Sequence, residues 1–259
     1  MSEPLLLRHV EAGVATLTLN RPAQFNSLSE ELLAALQDAL DDIAGDASLR
    51  AVVIAGAGKA FCAGHDLKQM RANHDKDYMR RLFRQCGKLM TTITHLPQPV
   101  IARVHGIATA AGCQLVASCD LAVAADVARF AVSGINVGLF CSTPAVALAR
   151  NMGRKQALEM LLTGDFIDAG EAQRRGLVNR VVPVDQLDAE VRRLTDSISG
   201  KSAAAVAMGK QLFYQQLEMG LDAAYQLAAE TMACNMMCED AAEGIDAFMA
   251  RRSPQWRGR

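Results

Sequence analysis

The stretch Val104-His105-Gly106-Ile107-Ala108-Thr109-Ala110-Ala111-Gly112-Cys113-Gln114-Leu115 decides how the chain is read. It passes from an apolar strand, through a turn of small residues, into a helix. A second stretch has the same build: Lys59-Ala60-Phe61-Cys62-Ala63-Gly64-His65-Asp66-Leu67-Lys68 follows an apolar run ending near Ala55 and leads into a short helix near Asp66. Small residues let a ligand approach the backbone, and the N–H groups that open a helix have no partner inside it. Two such turns facing each other would aim two backbone N–H groups at one oxygen, the geometry that stabilises an enolate or a tetrahedral oxyanion. The alternative, two ordinary strand-to-helix turns, stays open on the residues alone.

Around these turns the first half of the chain reads as strands and helices in alternation. Val14-Ala15-Thr16-Leu17-Thr18-Leu19 alternates apolar and polar residues, as a half-buried strand does. Arg21-Pro22 ends it. From about Ser29 a helix carries Leu32, Leu36, Leu40 and Ile43 along one face, with Ser27 or Ser29 as its cap. Ala51–Ala55, Val100–Val104 and Leu121–Ala124 are continuous apolar runs of strands covered on both sides. Strands of this kind separated by helices imply an α/β core. From about residue 143 the pattern turns helical. Asp168-Ala169-Gly170-Glu171 reads as a capping box and Gly176 closes its helix. Beyond Pro183 the chain is helical to about Arg252, broken near Gly200 and Gly220. The last helices carry Leu212, Phe213, Leu217, Leu221, Leu227, Met232, Met236, Met237, Phe248 and Met249 with little core left to cover. Self-packing is one reading; a subunit interface is the favoured one, because adaptable Met-rich faces recur at contacts.

Composition narrows the function. The 259 residues carry 27 Lys+Arg against 28 Asp+Glu, a net charge of −1, which argues against nucleic acid or an anionic membrane surface as a partner. Nothing approaches 18 consecutive apolar residues, so no membrane span is expected. The N-terminal MSEPLLLRHVEAG lacks the apolar centre of a signal peptide and is too short and acidic for a transit sequence. Seven cysteines, an odd number without a disulfide framework, fit reduced thiols and a cytoplasmic setting. Cys234 and Cys238, four apart, would share a helix face, but no His or Cys pair stands by to complete a zinc site, and no metal is expected. Gly56-Ala57-Gly58-Lys59 fails as a phosphate loop, since Val53 and Ala60 stand where Gly and Ser/Thr are needed. Ser133-Gly134 fails as a nucleophile elbow, with Ala at 131. Arg251, Arg252, Arg257 and Arg259 read as a solvated basic end.

The two turns, with three further elements in order, resemble the crotonase (enoyl-CoA hydratase/isomerase) superfamily over essentially the whole chain. Arg21-Pro22…Asn26-Ser27-Leu28 looks like its early R-P…N-A-L element, and Phe61–Leu67 its A-G-x-D-L loop. His105-Gly106 through Asp120 resembles its N-G…G-G-G-x-E-L…C-D motif. Glu171-Ala172…Gly176-Leu177-Val178…Val182-Pro183 and Glu243-Gly244…Ala247-Phe248…Arg251-Arg252 resemble its later segments. Ala111–Asp120 and Asn136–Pro144 are most similar to the branch of enoyl-CoA hydratase domain-containing proteins.

The resemblance implies a spiral of ββα units, with an acyl-CoA-binding core over 1–195 and a helical oligomerisation region over 196–259. It implies a homotrimer or a dimer of trimers. The ligand would be an acyl-CoA thioester, with coenzyme A as part of the substrate and no separate cofactor. The oxyanion hole would use the N–H groups of His65 and Ala111. Ala63, His65, Asp66, Leu67 and Lys68 would line the CoA path, with Phe248 and Arg251 near CoA from the same or a neighbouring subunit. The family's hydratases hold two glutamates around the bound water. Here those positions carry Gln114 and Gly134, and the carboxylate of related isomerases is replaced by Ser142. Gln can orient a water but takes no proton near neutrality. General acid–base groups contribute roughly 10²–10⁴ each, so hydration is expected to be slow, and restoring Glu at 114 and 134 is its natural test. A non-catalytic acyl-CoA binder is the alternative. Ser142, Cys141, Asn136 and the His65 ring are the replacement candidates. Ser142 and Thr143 read equally as a helix cap, and Cys141 as a packed thiol.

Overall fold

A computed structural model describes residues 3–259; Met1 and Ser2, which open the N-terminal stretch read above, lie outside it. Strands β1 (Leu6–Glu11) and β2 (Val14–Leu19) form a hairpin, and β3 (Ala51–Gly56) joins β2 in parallel after α1 (Glu30–Ala44). β4 (Ala60–Cys62), α2 (Leu67–Ala72) and α3 (Lys76–His95) follow. Next come β5 (Val100–Val104), β6 (Ile107–Thr109) and α4 (Ala111–Ser118), then β7 (Leu121–Ala125), β8 (Arg129–Ala131), α5 (Ser142–Asn151) and α6 (Arg154–Thr163). β9 (Ile167–Asp168), α7 (Ala169–Arg174), β10 (Arg180–Val182) and α8 (Leu187–Ser199) lead to α9 (Ala203–Gln216), α10 (Leu221–Met236) and α11 (Glu239–Met249).

The pairs β3–β4, β5–β6 and β7–β8 each send their first strand into a large sheet and their second into a small one. The large sheet runs β1-β2-β3-β5-β7-β10, the small one β4-β6-β8-β9. Each pair is followed by helix, which makes the chain the expected spiral of ββα units in an α/β fold. All large-sheet contacts beyond the first hairpin are parallel, as are β4–β6 and β6–β8. The carboxyl ends of three parallel strands therefore meet at one edge of the small sheet, where open α/β sheets bind ligands.

The apolar patterns act as read. Leu32, Leu36, Leu40 and Ile43 are fully buried, and Ser29 caps α1 by accepting from Leu32 N at 3.3 Å. α4 is buried on every face, the signature of a helix inside the core. Gly112 lets it in: a Cβ there would run into the Cys62 carbonyl, with Cys62 C at 2.7 Å and its Cβ at 2.8 Å.

α9 is pinned by charge. Lys210 Nζ donates to Asp120 Oδ2 at 2.6 Å and to the carbonyls of Ile93 and Gln98, while Tyr214 Oη donates to Asp120 Oδ1 at 2.8 Å. Burial pushes the Asp120 carboxyl up and the Lys210 ammonium down, each partner's charge pulling back. Past that anchor, α10 and α11 leave Leu221, Tyr225, Met232, Met237 and Phe248 between 62% and 86% exposed, so the apolar terminal faces do not pack on their own chain.

Three local expectations are corrected. α10 ends at Met236 and Cys238 caps α11, so Cys234 and Cys238 do not share one helix face. Asp168 caps α7 through Glu171 N at 2.7 Å, but the Glu171 side chain turns to Arg174 and Arg175 instead of closing the box. The C-terminal arginines are exposed as expected, and three of them also pair at the surface: Arg252 forks onto Glu243, and Arg257 and Arg259 pair with Glu239. Asp240 gathers the N–H groups of Arg257 and Gly258, drawing the end of the chain back onto α11. Finally, Ser142 is the first residue of α5, and its hydroxyl donates to Phe140 O at 3.3 Å; the cap position is Cys141, with no side-chain bond.

Candidate functional site

A cavity of about 390 Å³ opens at the carboxyl ends of β4, β6 and β8, lined by Ala63 and His65 from the first turn, Ala110 and Ala111 from the second, and Ser133 and Gly134 from the third. Leu67 and Met70 of α2, Phe83 of α3, Val137 and the segment Leu139–Pro144 complete its wall.

Backbone geometry orients the first turn. Leu28 bridges the chain at His65: Leu28 N donates to Gly64 O at 2.7 Å and Asp66 N to Leu28 O at 3.2 Å. In a parallel bridge, the residue between those two bonds turns its own N–H to the opposite side. The His65 N–H therefore points away from Leu28, and it has no acceptor among the described residues. The Ala111 N–H, first in α4, has none either, and no side chain caps that helix. The turns touch: a Cβ on Gly64, at φ +90°, would stand 3.2 Å from Ala111 N and 2.9 Å from Ala110 Cβ. Ala110 itself sits at φ 50°, ψ −120°, where a Cβ costs about 1–3 kcal/mol. That strain sets the angle at which α4 starts. Two free donors beside one cavity, one at a helix N-terminus, form a pocket able to hold a developing oxyanion.

The loop that carries His65 is tied down. Arg21 donates to Asp66 Oδ2 at 2.9 Å and to Ser27 O, and Asn26 Nδ2 donates to the carbonyls of Ala57 and Ala60. Asp66 also accepts from Lys68 N and Gln69 N, capping α2. Burial works against its charge, but the Arg21 bond and the two backbone donors prevail and hold its carboxyl below the usual range. Asp66 is thus a structural member of the loop. Leu67 lines the cavity, and Lys68 is exposed on α2 outside the lining.

The polar equipment is sparse. Among the described residues that line the cavity there is no carboxylate, and only His65 and Cys141 titrate. The His65 ring stands edge-on to Phe83, 5.4 Å between centroids, and both ring nitrogens are shielded and without partners. Burial lowers its pKa, with the Leu28 carbonyl pulling weakly the other way, so the imidazole is neutral near pH 7. Burial pushes the Cys141 thiol up, against a reactive thiolate. Ser133 Oγ shares a hydrogen bond of 2.9 Å with Thr109 Oγ1.

The structure does not gather every residue read from the sequence. Gln114 is buried, its Oε1 without a partner, and lines a separate cavity of about 640 Å³ between α3, α4, α5 and α9. Of the residues on the first cavity, only Thr143 also reaches that one. Gly134 is on the first cavity's wall, but a Cβ there would lie 2.6 Å from Leu139 O and 2.7 Å from Cys141 Sγ. A glutamate cannot simply be restored at 134, because the Leu139–Cys141 segment fills the space. Asn136 is exposed and not on the wall, while Ser142 is on its rim. Phe248, 85% exposed, lines a different cavity with Trp256, and Arg251 is exposed beside it. Ser133, Met70 and Phe83 were not legible. Phe83 lies one residue off the buried stripe Tyr78-Leu82-Cys86-Leu89-Ile93, the one sign that it faces something other than core.

The enoyl-CoA hydratase/isomerase family model matches residues 9–259. The chain belongs to this family. It is 47% identical over 253 residues to the mitochondrial enoyl-CoA hydratase domain-containing protein 3 of Xenopus laevis, covering 98% of this chain and 86% of that protein. Among solved structures, an enoyl-CoA hydratase from Mycobacterium smegmatis superposes with TM-score 0.97 at 61% identity, covering 98% and 99% of the two chains. The human enoyl-CoA hydratase domain-containing protein 3 does so with TM-score 0.95 at 44% identity, covering 98% and 100%. The recognised superfamily, branch and fold therefore stand. The cytoplasmic expectation does not: relatives from Xenopus laevis, Mus musculus, Rattus norvegicus and Homo sapiens are named as mitochondrial. Reduced, buried thiols were its basis, and they distinguish reducing from oxidising surroundings, not one reducing compartment from another. No helix among the described residues is long and apolar enough to cross a membrane.

Proposed function

We propose that this chain binds an acyl-CoA thioester and polarises its carbonyl between the backbone N–H groups of His65 and Ala111. One observation carries the reading: two N–H groups without acceptors, on adjoining turns, beside a cavity in a family defined by enoyl-CoA chemistry. The thioester oxygen gains negative charge when a proton leaves C2 or a nucleophile reaches C3. Fixed donors bind that oxygen more tightly than the ground-state carbonyl, and one such donor is worth about 10²–10³ in rate. Coenzyme A enters as part of the substrate and no separate cofactor is invoked. Ala63, Leu67 and Lys68 lie along its path, and a trimer or dimer of trimers would bring a neighbour's Phe248 and Arg251 to it. The bare apolar faces of α10 and α11 support such an assembly.

Hydration of the 2,3-double bond is not the favoured reaction, because no carboxylate is on the cavity wall to activate water. The same observation favours the second reading, an acyl-CoA binder without turnover. Titration calorimetry with acyl-CoA and free CoA, together with loss of enoyl absorbance on short, medium and aromatic 2-enoyl-CoAs, tests both. Tighter binding of the ester than of free CoA with little hydration is expected. Equal affinity for ester and free CoA would refute the thioester site.

A further inference from the structure

We infer that the His65 imidazole is the proton carrier of this site, moving a proton to and from the carbon next to the thioester carbonyl. The inference rests on the thioester reading and adds to it a base and a reaction class.

Three features of the cavity converge on this residue. Of the lining side chains only His65 and Cys141 can take up or release a proton, and the thiol is held protonated by its burial. His65 also supplies one of the two free N–H groups, so its Cα is fixed beside the thioester oxygen. The ring hangs from that same Cα on the wall of the cavity that would hold the carbon bonded to the carbonyl. And both ring nitrogens, as placed, are shut from solvent with no hydrogen-bond partner, so neither is held by another group. A half-turn about Cβ–Cγ preserves the ring's shape and its edge contact with Phe83 while exchanging nitrogens for carbons around the ring. A base waiting neutral, desolvated and unpaired has no competing bond to break before it accepts a proton.

The chemistry balances with this one group. The imidazole nitrogen takes a proton from C2; the C–H pair becomes the enolate C=C, and the carbonyl π pair moves onto the oxygen held by the two N–H groups. Returning the proton to C2 regenerates the ester, with exchange against solvent as the only net change. In a 3-enoyl thioester the enolate is conjugated with the C3–C4 double bond. Returning the proton to C4 re-forms the carbonyl and places the double bond at C2–C3. No oxidant, metal or added water is needed, and a single base suffices because the same nitrogen takes a proton and returns one. Hydration, in contrast, must both activate a water and protonate C2.

The test uses purified full-length protein in deuterium oxide with butyryl-CoA and a 3-enoyl-CoA, following deuterium at C2 by mass spectrometry and double-bond migration by absorbance. His65→Ala and His65→Gln keep the backbone N–H, and acyl-CoA affinity measured alongside confirms that each variant retains the site. Exchange by the native protein, reduced about 10²–10⁴-fold in both variants with affinity within threefold, is the expected result. Retained exchange in both variants overturns the assignment, as does loss in Cys141→Ser with none in His65→Ala. If the native protein binds the ester but neither exchanges deuterium nor moves the double bond, the inference fails and the thioester reading stands. If it binds no acyl-CoA, the thioester reading itself fails.

Discussion

Gly112→Ala puts the largest demand on the arrangement that creates the site. α4 approaches β4 so closely that an added methyl has Cys62 C at 2.7 Å and Cys62 Cβ at 2.8 Å, with the Cys62 carbonyl oxygen nearer still. These are backbone and Cβ atoms, so no flexible side chain can swing aside. The helix must retreat from the strand or the strand must bend. Overpacking of this kind costs about 1–3 kcal/mol, and in a chain of this size each kcal/mol lowers Tm by about 2–4 °C. A fall of about 2–12 °C in thermal unfolding is expected. The functional loss should be disproportionate, because the helix carries the Ala111 N–H at its start and a displacement of about 1 Å can cost 10²-fold. We expect the preference for acyl-CoA over free CoA to collapse under conditions where the variant is fully folded. A variant with native Tm and native ester preference would show that the α4–β4 contact does not set the donor's position.

Other perturbations have equally definite outcomes. Lys210→Met strands the Asp120 carboxylate among buried groups and should cost about 3–5 kcal/mol by urea unfolding, with the double replacement Asp120→Leu/Lys210→Met recovering most of it; a single variant as stable as the double would refute the pin. Gly134→Glu, which meets Leu139 O at 2.6 Å, should lower Tm and yield no 3-hydroxyacyl-CoA from a 2-enoyl-CoA; restored hydration would show that the 139–141 segment yields easily. Glu243 is held to a pKa of about 2 by hydrogen bonds from Arg252 and then from Gln255 N, against 4.5 when free. Its contribution is complete above pH 4.5 and disappears as pH falls through 2. Glu243→Gln should therefore flatten the fall of Tm between those limits, and an unchanged slope would remove the Glu243–Arg252 fork from the acid response.

Much of this was readable in the residues. The periodic stripe of α1 and the apolar runs of β3, β5 and β7 gave core elements because burial enforces them. The two small-residue turns were legible as candidate donors. What no pattern in the sequence specified was the small sheet: β4, β6, β8 and β9 have two or three residues each, too short for any periodicity to register. Yet it is the parallel pairing of β4, β6 and β8 that sets the turns at His65, Ala111 and Ser133 side by side. For the same reason the sequence did not show that Gln114 lines the second cavity, which shares Thr143 with the first. Its place beside Ala111 in the chain is real, but α4 turns that residue toward α3 and α9, with Asp120 and Tyr214, away from the wall where Ser133 stands.

The two-donor oxyanion hole is tested most directly by the absorption spectrum of a conjugated dienoyl-CoA bound to the protein. Hydrogen bonds from His65 N–H and Ala111 N–H would draw electron density onto the thioester oxygen. The band is expected to shift to longer wavelength on binding and to return when saturated acyl-CoA displaces the probe. Stoichiometric binding with the spectrum of the free ester would contradict it.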